Sequence, residues 1–330
     1  MTFHLDITDA HQSLSTLCRK IKPSGLRSRL PGHGLWLALL FAVIPGVAAP
    51  RRTPYTFAMV EFQSGHFQQA RQALEEALRR SPATATAEME MLVARCDFEL
   101  GDLNGATAHA EQAVRIDPTN AQYHLWLGRM VGSEAGRERS VTLAMKTRKE
   151  FEEAVKLAPS NADARRALME YYLDAPWILG GSKAKAEEQA AAISQIDPIE
   201  GLLARARMDQ AAGQPHQADS DYRQAIQAKP QRLGPYFEAA NFYLRRHDAD
   251  GLTQAVEGAA AVNASDPRIE YYRGVAHVLA GTQLASAQRE LEDYLANAQA
   301  RRNFPSHADA LSWLGKLYER TRRTQLAVQQ

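Results

Sequence analysis

Residues 65–82 read GHFQQARQALEEALRRSP, and the same pattern recurs in residues 101–118, GDLNGATAHAEQAVRIDP, and in residues 213–230, GQPHQADSDYRQAIQAKP. Each stretch carries Gly, Ala, Ala and Pro at successive separations of 5, 7 and 5 residues. The later part of the pattern is kept in two further runs: Thr147, Ala154 and Pro159, and Ala186, Ile193 and Pro198. Recurrence of this kind predicts a chain built from structural repeats.

The spacing describes two antiparallel helices in each repeat. Two alanines seven residues apart lie on one face of a helix, where a small side chain lets a neighbouring helix approach closely. Glycine ends the first helix because it adopts a left-handed backbone without a Cβ clash. Proline stops the second helix and directs the chain into the next repeat. Since few segments show the alternation of β-strands, the predicted fold class is all-α.

This pattern resembles the tetratricopeptide repeat (TPR), a helix–turn–helix unit of about 34 residues. Trp126-Leu127-Gly128 and Trp313-Leu314-Gly315 are similar to the signature of its first helix. The resemblance is to exported bacterial TPR proteins of unassigned function, and it implies a right-handed α-solenoid of seven to eight repeats over residues 51–330. The repeats fall near residues 51–84, 87–120, 121–161, 162–198, 199–232, 233–266, 267–300 and 308–330, the last of which stops within its second helix.

Two repeats are longer than the unit. Pro118, Pro159 and Pro198 are 41 and 39 residues apart, which leaves insertions near residues 131–147 and 174–182. We expect the first insertion to lengthen the turn and the start of the second helix of its repeat. The second insertion is predicted to be a loop bounded by proline and glycine.

The second insertion carries Trp177, which makes it a candidate site for a partner. Insertions in solenoids often emerge on one face and carry function, and an exposed Trp is a strong anchor. The alternative is that Trp177 and Ile178 pack against the neighbouring insertion. We favour that alternative here, because exposed apolar side chains promote aggregation.

The TPR resemblance further implies a concave groove lined by the first helix of each repeat. Its candidate partner-binding residues are Arg95, Arg129, Arg166, Arg207, Phe237, Asn241 and Tyr271. The four arginines are predicted to form a basic lane for acidic segments or a terminal carboxylate, with apolar contacts from Phe237 and Tyr271. The alternative for each arginine is a solvated or salt-bridged side chain.

The sequence predicts a protein that binds and does not catalyse. It contains no Cys-x-x-Cys, His-Glu-x-x-His or Gly-x-Ser-x-Gly motif and no phosphate loop, so no metal or other cofactor is expected. With 39 basic and 38 acidic residues, it lacks the basic field that nucleic-acid binding needs. The resemblance implies a scaffold that binds a protein or peptide in its groove. The alternative is a structural subunit of an envelope export or biogenesis complex.

Residues 1–50 contain a signal-like segment. Arg27 and Arg29 precede the apolar run Leu35–Ala49, which ends in small residues. Its 15 residues are few for a membrane-spanning helix. We therefore expect a periplasmic or exported protein whose segment is either cleaved or kept as a membrane anchor. The alternative is a cytoplasmic chain.

Overall fold

The computed structural model describes residues 53–82 and 85–328, without the side chains of residues 323–328. The signal-like segment lies outside the described residues. Those residues form fifteen α-helices, joined by turns and short loops, and contain no β-strand. The predicted all-α fold class is confirmed.

The helices follow one another as seven antiparallel pairs and a final single helix. They are α1 (Pro54–Gln63) and α2 (Phe67–Arg80), α3 (Ala87–Leu100) and α4 (Leu103–Ile116), α5 (Ala121–Glu138) and α6 (Val141–Leu157), α7 (Ala162–Asp174) and α8 (Lys183–Ile196), α9 (Pro198–Ala211) and α10 (Pro215–Gln227), α11 (Gly234–Arg245) and α12 (Ala249–Val262), α13 (Arg268–Ala280) and α14 (Leu284–Asn297), and α15 (His307–Val328). Every helix packs on the one before and the one after it, and most first helices also contact the first helix of the next pair. This stacking is an α-solenoid.

The repeated residues have the packing that their spacing predicts. The alanines of the pattern lie between helices with no exposed surface in five of the six places: Ala70, Ala106, Ala113, Ala218 and Ala225. Gly101 ends α3 with a φ of 87°, a conformation that side chains with a Cβ rarely adopt. The next helix begins at once, because the Asp102 side chain accepts a hydrogen bond from Gly105 N at 3.0 Å.

The first insertion does not lengthen the turn, so that part of the expectation was wrong, but it does lengthen the start of the second helix, α6, as expected. Only Arg139 and Ser140 separate α5 from α6, and the two helices have 18 and 17 residues where α3 and α4 have 14 each. The added length stays helical because the Ser140 hydroxyl caps α6 through Leu143 N at 3.3 Å. The insertion therefore adds about one turn to each helix of the pair.

The loop between α14 and α15 returns to the first two repeats, and we call residues 299–304 the return loop. Arg301 Nη2 donates to Gln63 O at 2.8 Å, across 238 residues of sequence. Arg302 N donates to Glu99 Oε2 at 3.1 Å, and Arg302 Nε donates to Phe98 O. The solenoid thus completes one superhelical turn and closes on itself through these contacts.

The chain after the return loop forms a single helix, α15, which packs on α14 and α13. We expected the last repeat to reach a second helix before residue 330, but α15 continues without a break to Val328. Among residues 53–82 and 85–328, no helix combines the length and the apolar character needed to cross a bilayer.

Candidate functional site

The residues predicted to line a groove lie on the first helices of the pairs, and Arg95 lies on α3, near the N-terminal end of the solenoid. The guanidinium carbon lies 4.5 Å from the ring centre of Phe62 and 4.8 Å from that of Trp126. Its Nε is buried and has no hydrogen-bond partner within the described part of the chain. Burial lowers the pKa of Arg95, the charge of Glu99 opposes that effect, and the charge of Arg129 adds a smaller lowering. The cation lies between two aromatic rings, and no carboxylate oxygen of the described residues is within 4.0 Å of it.

Other arginines surround the same end of the groove. Arg129 is buried with its guanidinium carbon 5.1 Å from the Trp126 ring centre. Arg302 of the return loop lies 4.1 Å from the ring centre of Phe98. Burial lowers the pKa of both Arg301 and Arg302, and the charge of Glu99 opposes that effect. We call Arg95, Arg129, Arg301 and Arg302 the basic end of the predicted groove.

The middle of the groove has the opposite character. Arg166 lies among three carboxylates: Glu200 Oε2 is 3.0 Å from its Nη1, Glu170 Oε1 is 3.3 Å from its Nε, and Glu238 contacts its Nη2. Desolvation opposes the charge of Arg166, but the three carboxylates together raise its pKa well above the ordinary value. Burial is also the main reason that the pKa of Glu170 is raised. This cluster therefore carries more negative than positive charge.

Arg207 is paired as well, since its Nη2 lies 2.7 Å and 2.8 Å from the two carboxylate oxygens of Asp174. The four predicted arginines consequently do not form one basic lane. Glu170 is the i,i+4 partner of Arg166 on α7, whereas Glu200, Glu238 and Asp174 come from other first helices, so only the Glu170 pairing is visible in the local sequence. For Arg166 and Arg207 the salt-bridged alternative is therefore what the structure has. Arg95 and Arg129 both have their guanidinium groups near the Trp126 ring at the basic end.

Phe237, Asn241 and Tyr271, the predicted residues on α11 and α13, are held by contacts within the protein. Phe237 is 2% exposed and Tyr271 is 3% exposed, so the expectation that they offer apolar contacts to a partner was wrong. Phe237 stacks on Tyr272 with ring centres 5.6 Å apart. Asn241 accepts a hydrogen bond from Tyr272 Oη at 2.7 Å. The aromatic side chains turn between the helices and fill the core.

Trp177 lies on a short 3₁₀ helix, Trp177–Leu179, between α7 and α8. It is 85% exposed and Ile178 is 72% exposed. Our expectation that they pack against the neighbouring insertion was therefore wrong. That insertion forms regular helix, and its α6 part contacts the 3₁₀ helix without covering Trp177 or Ile178.

The sequence alone did not point to the return-loop arginines. Arg301 and Arg302 follow α14 in a stretch without repeat pattern, and their partners precede them by more than 200 residues. A pair of arginines after a helix is too common to mark a site. Only the superhelical path brings them to the C-terminal ends of α1 and α3.

The described residues contain no group of three or more His, Cys, Asp or Glu side chains placed to hold a metal ion. Cys96 is buried, and burial raises the pKa of its thiol to about 12, so the thiol stays protonated at neutral pH.

Comparison with known sequences gives the family. The sequence pattern of the tetratricopeptide repeat matches residues 61–129 and residues 279–330. The chain contains tetratricopeptide repeats. The first match runs from the last turn of α1 into α5, and the second runs from the end of α13 through α15; the pairs between them have the same helix–turn–helix architecture.

The TPR protein is similar to one curated mouse protein, "FK506-binding protein-like", with 32% identity over 145 residues, 43% of this chain and 40% of the mouse protein. The match thus spans two fifths of that relative's length. Among solved structures, yeast Tom70 has a TM-score of 0.60 at 14% identity, covering 82% of this chain and 55% of Tom70. A tetratricopeptide repeat protein from Parabacteroides merdae has a TM-score of 0.50 at 14% identity, covering 80% and 97%. At these identities the solved structures show the shared fold alone.

Proposed function

We propose that this TPR protein is a non-catalytic scaffold that binds an acidic segment of a protein partner at the basic end of its groove. The observation that carries the proposal is Arg95, a half-buried cation between two aromatic rings with a buried Nε that lacks a hydrogen bond. Desolvating an arginine without an anion costs free energy, and an incoming carboxylate offsets that cost through charge-assisted hydrogen bonds.

The direction of binding follows from the charges along the groove. Acidic side chains of the partner meet Arg95, Arg129 and the return loop. The carboxylate-rich surroundings of Arg166 disfavour a second acidic residue in the middle of the groove. A partner segment with acidic residues at one end and neutral or basic residues at the other fits both regions.

Photo-crosslinking from Tyr55 tests the groove. Tyr55 lies on α1, and its hydroxyl is close enough to Arg95 for the guanidinium to lower its pKa against the larger effect of burial. We expect p-benzoylphenylalanine at Tyr55 to trap one dominant protein in cells. Arg95→Gln should remove that product, whereas Arg205→Gln should keep it, since Arg205 is half exposed and pairs with Asp221.

Two outcomes would oppose the proposal. A crosslinked partner that survives Arg95→Gln would show that the basic end does not hold it. A partner trapped equally from Tyr55 and from Arg205, and present in fixed stoichiometry after purification, would favour the structural subunit of a larger complex.

We also propose export to the bacterial envelope, supported by the apolar run Leu35–Ala49 after Arg27 and Arg29. Cell fractionation followed by mass spectrometry of the N-terminus tests it. Recovery of the chain from the periplasm or membrane supports export. An intact N-terminus in the cytosolic fraction alone contradicts it.

A further inference from the structure

The loop between α7 and α8 presents Trp177 and Ile178 to solvent in a fixed conformation. Leu179 N donates to Pro176 O at 2.9 Å, and Gly180 N donates to Trp177 O at 2.9 Å. The Leu179 carbonyl oxygen accepts from Tyr171 Oη at 2.9 Å and from Arg148 Nη1 at 3.3 Å. Because Tyr171 is a core residue, this hydrogen bond ties the loop to the solenoid. The exposure of Trp177 is therefore a property of an ordered loop.

Two glycines make this conformation possible. Gly180 has a φ of 92°, and a Cβ on it would overlap the Arg148 side chain. A Cβ on Gly181 would overlap the carbonyl oxygen of Ala175. The backbone thus folds tightly beneath Trp177 and Ile178, which leaves their side chains on the outside.

The loop packs on α6, which carries two more exposed apolar side chains. Val141 is 59% exposed and Met145 is 49% exposed. They stand four residues apart, and Arg148, which contacts the loop, follows three residues later on the same helical face. We call Val141, Met145, Trp177 and Ile178 the Trp177 surface. It lies at the edge of the solenoid where first helices turn into second helices.

Basic side chains flank the Trp177 surface. Residues 141–149 and 175–186 together contain no Asp or Glu and five basic residues: Lys146, Arg148, Lys149, Lys183 and Lys185. Lys146, Arg148 and Lys183 lie near Glu111, Glu152 and Glu187 of other segments. Lys149 and Lys185 have no carboxylate within 4.0 Å in the described part of the chain. A second copy of this surface would bring like charges together, which disfavours self-association through it.

We propose that the Trp177 surface docks on an anionic lipid bilayer. Trp177 and Ile178 enter the interfacial region, where an indole ring is favoured because it is apolar with one polar N–H group. Lys149 and Lys185 lie beside the acidic headgroups, which adds electrostatic attraction. The contact is peripheral, and it is separate from the groove, so it goes beyond the binding of a protein segment.

Quenching of the tryptophan fluorescence of the full chain by brominated lipids tests whether Trp177 contacts the bilayer. The chain has four tryptophans, of which Trp126 and Trp313 are buried and Trp36 lies outside the described residues. On vesicles of brominated phosphatidylglycerol and phosphatidylcholine in equal parts, we expect quenching of the wild-type emission. Trp177→Phe should remove most of that quenching, and any contribution of Trp36 stays common to both proteins.

Co-sedimentation with the same vesicles gives the energetic test. We expect Trp177→Ala with Ile178→Ala to weaken binding at least about tenfold. Lys149→Glu with Lys185→Glu should abolish the preference for phosphatidylglycerol over pure phosphatidylcholine. Leu311→Ala serves as control, because Leu311 is 59% exposed on α15, away from this surface.

Equal quenching in the wild type and in Trp177→Phe would overturn the proposal. Equal vesicle binding of all variants would also overturn it, and would assign the membrane affinity to residues 35–49. A Trp177 variant that binds vesicles normally but fails to bind a protein would overturn it in favour of a protein partner. Far-ultraviolet circular dichroism of each variant shows whether the fold is retained.

Discussion

At the scale of single residues, the local sequence does not indicate which charged side chains are buried. Asp97, near the end of α3, has no exposed surface. Neither of its carboxylate oxygens accepts a hydrogen bond from a described residue, although Arg71 Nε lies 2.9 Å from Oδ1. Arg71 instead donates to Glu75 at 2.8 Å. Burial raises the pKa of Asp97 to about 6, and the charge of Arg71 only partly opposes that effect.

We predict that Asp97→Asn stabilises the protein at neutral pH. Because the folded-state pKa is raised, the folded protein favours the protonated carboxyl, and stability falls as pH rises from about 3.8 to about 6. The gain from Asn should be near zero at pH 3.5 and about 1–2 kcal/mol at pH 7.5. Urea unfolding at both pH values measures it, with exposed Asp293→Asn as control. A gain that is the same at both pH values would contradict a charge effect.

At the scale of helices, the Trp-Leu-Gly signature occurs twice, and the glycine is packed against a helix in one copy and not in the other. In Trp126-Leu127-Gly128, a Cβ on Gly128 would lie 2.5 Å from the Phe151 ring, so α5 and α6 touch at this glycine. In Trp313-Leu314-Gly315, a Cβ on Gly315 would meet no described atom within 4 Å. The first glycine is required by a partner helix, and the second faces open space because α15 is not followed by a paired helix in the described chain.

Gly128→Ala and Gly315→Ala should therefore have effects of opposite sign. The first forces α5 and α6 apart and should cost about 1–3 kcal/mol of unfolding free energy. The second replaces glycine inside a helix without a clash and should gain up to about 1 kcal/mol. Thermal unfolding followed by circular dichroism compares the two variants. Equal destabilisation would mean that a neighbour also covers Gly315.

At the scale of the whole molecule, the return loop closes the superhelical turn. Its arginines bond to the carbonyl ends of α1 and α3 and stack on Phe67 and Phe98 at 5.6 Å and 4.1 Å. Gln299 lies so close to Gly65 that a Cβ there would overlap it. In a solenoid each repeat otherwise contacts only its neighbours. The return loop therefore adds contacts between repeats that would not touch each other through stacking alone. The closure also sets the shape of the basic end of the groove.

Arg301→Ala with Arg302→Ala should open this turn. We expect a larger radius of gyration by small-angle X-ray scattering and faster amide hydrogen exchange at the C-terminal ends of α1 and α3. Arg289→Ala is the matched control, because exposed Arg289 bonds only within its own helix. Unchanged scattering and exchange in the double variant would show that repeat stacking by itself fixes the superhelix.

The sequence by itself determined the repeat, the helix pairs and their ends. Alanine spacing, glycine conformation and proline position act within a few residues, so they can be read locally. Only the tertiary structure decided which side chains face solvent and which are paired. Trp177 is exposed on a tightly folded loop that α6 contacts without covering it. Phe237 is buried because α13 packs beside it, and Arg166 is paired with carboxylates 34 and 72 residues away. Such contacts depend on the rotation between successive repeats, which accumulates along the solenoid and is encoded in no single repeat.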